Sequence, residues 1–90
     1  MAGGHTKHVG TKDRYIALYN PGTEAARKPD SYKTLGGLNH IAVVVDDLEA
    51  AEEAVKAQGF TPTNHGDYEP GRRFYFRDSD HIEYEVVQYD

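Results

Sequence analysis

The chain has 90 residues, 38% of them hydrophobic and 28% charged, which suits one globular domain with a modest core and excludes a disordered polymer. Its formal net charge is -5 with Lys and Arg scattered along the chain, so the clustered positive surface that nucleic acid requires is excluded as a partner site. Cysteine is absent, which excludes disulfides, thiolate metal sites and cysteine nucleophiles. No apolar run approaches the roughly 20 residues that span a bilayer, and Met-Ala-Gly-Gly-His-Thr-Lys-His at the start has no apolar h-region. No membrane partner is expected, and a cytoplasmic address is the default.

Residues 1–8 mix glycine, histidine and lysine without periodicity and read as a flexible N-terminal arm. Residues 9–22 read as strand. Arg14 to Tyr19 is rich in strand formers and stops at the turn signal Asn20-Pro21-Gly22, while Lys7-His8-Val9-Gly10 is its candidate hairpin mate across Thr11-Lys12-Asp13. Residues 23–37 shift to Ala, Lys, Pro, Asp, Ser and Gly and read as a linker.

Residues 38–90 form the most legible part. Leu38 to Val45 is a strand with both faces largely apolar. Asp46, three residues before Glu49, fits a capping box for a helix from about Asp47 to Gln58, with Leu48, Ala51, Ala54 and Val55 on one face. Gly59 closes that helix and Phe60 supplies the apolar contact such endings often have. Thr61 to Pro70 predicts a short strand at best and then a polar loop. Arg72 to Arg77 and Ile82 to Tyr89 are strands joined by Asp78-Ser79-Asp80-His81, a four-residue hairpin loop of the kind built round a type I turn. One helix and a run of strands place the chain in the α+β class.

Three segments together resemble the vicinal oxygen chelate superfamily of glyoxalases, bleomycin- and fosfomycin-resistance proteins and extradiol dioxygenases. Leu38-Asn39-His40-Ile41-Ala42-Val43-Val44-Val45-Asp46-Asp47-Leu48 resembles its first strand and capped helix, with an opening His that is commonly a metal ligand. Arg73-Phe74-Tyr75-Phe76-Arg77-Asp78-Ser79-Asp80 resembles its Phe-Tyr-Phe-x-Asp-Pro-Asp-Gly hairpin, and Glu83-Tyr84-Glu85-Val86-Val87 its last strand, whose second Glu is the usual ligand. The resemblance implies one βαβββ module, a half-barrel, over residues 38–90. Ser79 stands where the family usually has Pro. His81 stands where it usually has Gly, so a strained turn or a changed turn type is expected there. Family members join two such modules, and residues 9–22 resemble only the closing strands of a first one. A homodimer that completes the cavity is therefore expected.

Strand alternation assigns Ile41, Val43, Val45, Tyr84 and Val86 to the helix side. His40, Glu83, Glu85, Arg73, Tyr75 and Arg77 then share the opposite, concave face. On the resemblance, His40 and Glu85 are the metal ligands, Glu85 doubles as catalytic base, and Arg73, Tyr75, Arg77 and Glu83 bind substrate. The cofactor implied is a divalent metal, one of Zn, Ni, Mn, Fe or Mg, that an N/O pair suits. The blander readings stand beside these: His40 as a locally bonded strand-end residue, Glu83 with Arg73 and Arg77 as cross-strand ion pairs, and Tyr75 as a wall. His5, His8 and His65 read as surface residues, with His8 alone near enough to serve as a third ligand. Two functions follow: a metal-dependent lyase, isomerase or transferase on a small vicinal-oxygen compound, or a metal-free binder of a drug-like or aromatic molecule. An inactive truncated relative is the third.

Overall fold

A computed structural model describes residues 4–23, 30 and 32–90, so residues 1–3 of the expected arm and residues 24–29 and 31 of the expected linker lie outside the described residues. Strand β1 (His5–Gly10) pairs antiparallel with β2 (Tyr15–Asn20), with His8 opposite Ala17 and Val9 opposite Ile16. The hairpin is thus real, and it begins earlier than expected: His5 to His8 belong to the ladder because Asn20 to Ala17 satisfy their backbone groups. Thr11 ties the turn, its N–H donating to the Arg14 carbonyl at 2.8 Å and its Oγ1 accepting from the Arg14 N–H at 3.2 Å. Gly10 precedes it at φ 147, where a Cβ would lie 2.3 Å from the Arg14 carbonyl oxygen.

The rest of the chain folds as β3 (Ile41–Val44), α1 (Leu48–Ala57), β4 (Thr63–Tyr68), β5 (Gly71–Arg77) and β6 (Glu83–Tyr89). This is the βαβββ order. Its four strands form one sheet in the order β3-β6-β5-β4, with β3 parallel to β6 and the remaining pairs antiparallel. The crossover through α1 is what lets β3 and β6 run parallel. At Gly71 the sheet is so close that a Cβ would sit 2.2 Å from the Gln88 carbonyl oxygen, which explains a glycine opposite Tyr89.

Helix α1 buries Leu48, which packs with Phe74 and Val86, and Val45, Ala51, Val55 and Phe76 surround that cluster. Ala54 is exposed, so the apolar stripe is narrower than the sequence pattern suggests. The cap is Asp47, not Asp46: the Asp47 carboxylate accepts from the Ala50 N–H at 3.0 Å. The Leu48 N–H donates to the Gln88 side chain at 2.8 Å, so strand β6 itself supplies part of the cap and fixes the helix start on the sheet. Gly59, at φ 90, ends the helix as expected, its N–H donating to the Lys56 carbonyl at 2.9 Å.

Two other expectations change. Thr63 to Tyr68 is a full edge strand where a short strand at best and a polar loop are expected, with a register shift between Thr63 and Gly66 and Asn64 at φ 51. Strand β3 is shorter than the apolar run, and His40 precedes it. His81 takes φ 65, so the strained turn at Asp78–His81 is present, held by Asp78 Oδ1, which accepts from the Asp80 and Ile82 N–H groups at 2.9 and 3.0 Å. Among the described residues the β1–β2 hairpin contacts neither the helix nor the four-stranded sheet, and it leaves Val9, Tyr15 and Leu18 exposed. No helix in the described residues is long and apolar enough to cross a membrane.

Candidate functional site

Helix α1 covers one face of the sheet, and the polar constellation lies on the other. Alternation along β6 puts Glu83, Glu85 and Val87 on that face, and the β5 register sets Arg77, Tyr75 and Arg73 directly opposite them. Strand β3 brings Ala42 beside Glu85 and leaves His40 just ahead of the strand, free to reach across. The six residues singled out in the sequence therefore share one surface, but they divide into two groups.

The first group centres on Glu85, which is 8% exposed. Its Oε1 lies 3.0 Å from His40 Nε2 and its Oε2 accepts from Arg73 Nη1 at 3.0 Å. Both carboxylate oxygens are thus engaged, one by an imidazole and one by a guanidinium. His40 is oriented in turn by Asn39, whose Oδ1 is 2.6 Å from Nδ1, and its ring meets Tyr75 edge-on at 5.6 Å. That contact asks Nδ1 to carry the proton toward Asn39, so a neutral His40 would present an Nε2 lone pair to Glu85, whereas a doubly protonated ring donates on both sides. Burial, and after it the Glu85 charge, pushes the Tyr75 phenol above its ordinary range. Tyr75 is therefore a neutral hydroxyl at physiological pH.

The second group centres on Glu83, 3% exposed, whose Oε1 accepts a short hydrogen bond from the Tyr32 hydroxyl. Arg77 Nη2 stands 3.9 Å from Glu83 Oε2, with its guanidinium 5.8 Å from the Tyr32 ring centre. The hydrogen bond to Glu83, then burial, raises the Tyr32 pKa. These groups border a cleft of about 480 Å³ that also reaches Phe60, Thr63 and His81. The expected Arg73–Glu83 pairing does not occur: the β5–β6 register opposes Arg73 to Val87, which places its guanidinium at Glu85 instead.

Three participants were not read from the sequence. Tyr32 comes from the segment assigned to a linker, Asn39 precedes the histidine, and Tyr68 stacks its ring against the Arg73 guanidinium at 4.5 Å. Only Tyr68 had a signal, its two-residue spacing from Gly66 on a strand that lacked apolar alternation. His8 packs on Tyr15 in the hairpin and His65 bonds to Glu52 at 2.9 Å, so neither joins His40.

The profile of the Glyoxalase/Bleomycin resistance protein/Dioxygenase superfamily matches residues 9–76, three-quarters of the chain, from the end of β1 almost to the end of β5. The chain belongs to this superfamily. The crystal structure of a protein named SMU.1112c has a similar fold, with a TM-score of 0.75 and 19% sequence identity, covering 94% of this chain and 70% of that one. No curated protein matches the sequence.

Members of this superfamily often hold divalent metals, which makes the His40–Glu85 pair the place to test the fit. Two adjacent ligands at about 2.1 Å from one ion and at right angles stand about 3.0 Å apart. His40 Nε2 and Glu85 Oε1 have that separation. The pair fits one edge of a metal site. Among the described residues, however, no group of three His, Cys, Asp or Glu side chains converges. Arg73 also places a positive charge on the other Glu85 oxygen, which weakens the carboxylate as a ligand.

Proposed function

We propose that this superfamily member binds a small molecule on the sheet face lined by His40, Arg73, Tyr75, Arg77, Glu83 and Glu85, in a cleft that a second copy of the chain completes. The observation that carries this reading is the buried Glu85 carboxylate, held from both sides by His40 and Arg73 on the sheet face opposite the helix. A few polar groups held in fixed orientations are what a ligand site uses to orient its ligand and set specificity. The reading needs no metal, because Glu85 is neutralised within the chain.

Dimerisation is supported by what the fold leaves uncovered. Val43 and Val44 are exposed on the edge strand β3, and Val9, Tyr15 and Leu18 on a hairpin that, among the described residues, contacts neither the helix nor the four-stranded sheet. Exposed apolar strands of this length are normally covered.

The 3.0 Å separation of His40 Nε2 and Glu85 Oε1 favours a second reading, a metal-dependent lyase, isomerase or transferase. In it His40 and Glu85 of two copies together hold a divalent ion that supplies Lewis-acid polarisation of a vicinal-oxygen substrate.

Light scattering at micromolar concentration tests the dimer, and a clean monomer overturns it. Thermal shifts across a panel of small molecules test the binding reading. A ligand at about 100 times its dissociation constant should stabilise by roughly 2.7 kcal/mol, and a panel without a single shift counts against it. Metal analysis of the wild type beside His40→Ala and Glu85→Ala separates the two readings. Stoichiometric divalent metal that both substitutions abolish selects the enzyme.

A further inference from the structure

We infer that Arg73 is the anchor for an oxyanion group, a carboxylate in the probe chosen below, carried by the small molecule that binds this face. The inference rests on the small-molecule reading above and narrows it to a chemical class.

A guanidinium has five N–H donors arranged in a rigid plane, and Nε with Nη2 present two of them in parallel along one edge. Arg73 spends Nη1 on Glu85. Its Nε and Nη2 are both buried, and among the described residues neither has a hydrogen-bond partner. The two orphaned donors are therefore not scattered over the group. They are one complete edge, the edge that grips a carboxylate or phosphate with two parallel hydrogen bonds. Buried donors without acceptors are rare because their lost hydration is not returned. Here the missing partner is a pair of oxygens.

The neighbours agree with this assignment. Glu85 fixes the guanidinium through Nη1 and turns the Nε–Nη2 edge away from its own negative charge, so an arriving anion does not meet the carboxylate head-on. His40 on the second Glu85 oxygen limits that charge further. The side chain is only 11% exposed, which keeps water from competing for the edge.

Tyr68 lies over the guanidinium. Its ring lies 4.5 Å from the Arg73 guanidinium carbon while Tyr68 itself is 59% exposed, on the edge strand β4. The ring can lie there because residue 66, opposite Arg73 in the register, is glycine: a Cβ at Gly66 would sit 2.7 Å from the Tyr68 ring and 3.5 Å from Arg73 Cγ. Gly66, Tyr68 and Arg73 thus make a covered guanidinium whose cover is the most solvent-exposed of the three. The ring takes none of the N–H donors, so the oxygens of a ligand meet the Nε–Nη2 edge without competing with it.

Benzoate and its neutral isostere benzamide are the probes, used with the full-length chain in calorimetry and in NMR of the arginine side-chain N–H groups. Benzoate is expected to bind and to shift the Arg73 Nε–H resonance, with benzamide at least tenfold weaker. Arg73→Lys keeps the charge but loses the paired donors, and is expected to weaken benzoate at least tenfold. Tyr68→Ala should bind benzoate as tightly as the wild type or tighter, and a loss beyond threefold overturns the role given to Tyr68. Equal affinity for benzoate and benzamide, or a benzoate complex that leaves the Arg73 Nε–H unmoved, overturns the oxyanion anchor while small-molecule binding stands. That wild-type measurement decides the matter even if Arg73→Lys fails to fold. Should neither probe bind, the anchor is refuted, and the separate panel of neutral compounds decides the broader reading.

Discussion

Replacing Arg73 with methionine takes one cation from a buried carboxylate and leaves the carboxylate in place. Arg73 and Glu85 side chains are each 11% exposed, so water does not restore what is lost. Breaking a buried pair from one side costs about 3–5 kcal/mol. His40 remains 3.0 Å from Glu85 and sets the expected value at the lower end, about 3 kcal/mol. A domain of this size has on the order of 5–15 kcal/mol of stability, so the variant folds with a visibly reduced margin. In thermal unfolding the same loss lowers Tm by roughly 12–24 °C, at about 4–8 °C per kcal/mol. The double variant Arg73→Met/Glu85→Leu removes both charges and should return to within about 1 kcal/mol of the wild type. Urea unfolding followed by far-UV circular dichroism reads all three proteins. A single-variant cost below about 1 kcal/mol would place the pair among surface ion pairs and refute the buried-carboxylate account of the site.

Tyr32→Phe removes the hydroxyl that donates to Glu83 and should cost about 1 kcal/mol, less than a fully buried charged hydrogen bond because Tyr32 is largely exposed. The folded-state pKa of Tyr32 lies above its ordinary value of 10.0, so its contribution is complete below that pH and fades as pH rises through the folded value. Alkaline unfolding of the two proteins should therefore converge at high pH, and a gap that persists there contradicts the hydrogen bond. Gly71→Ala drives a Cβ to 2.2 Å from the Gln88 carbonyl oxygen and should destabilise by about 1–3 kcal/mol or more; an unchanged urea midpoint refutes the close β5–β6 approach. Asp47→Ala should cost about 1 kcal/mol and Asp46→Ala only a few tenths, and the reverse order in urea titration would move the helix cap back to Asp46.

Sequence reasoning reached the βαβββ order because its strongest signals, the apolar run before Asp46 and the amphipathic helix ended by Gly59, are local. The full extent of the edge strand β4 escaped it for a physical reason. Thr63 to Tyr68 buries little and is held by backbone pairing to β5, so nothing apolar marks it. The local capping-box spacing favours Asp46, whereas the cap is Asp47, with the helix start held by the bond from the Leu48 N–H to Gln88, forty residues away in the chain. The shared polar face followed from two-residue alternation along β5 and β6. Which arginine meets which glutamate depended on register, and register needs both strands. Tyr32 could not be found at all, since its link to Glu83 spans 51 residues and leaves no trace in its own neighbourhood.

The strand order β3-β6-β5-β4 puts β6, the last of the four to be synthesised, between two that are made before it. Until β6 emerges, β3 has no neighbour on either side and Phe74 has only half of its cover. A growing chain therefore holds its helix and two hairpin strands as an unfinished layer. The final seven-residue strand then delivers both buried glutamates together with the backbone ladders that position them. Assembly of the sheet and creation of the candidate site are in this sense one late event, and a chain stopped before Glu83 would have neither.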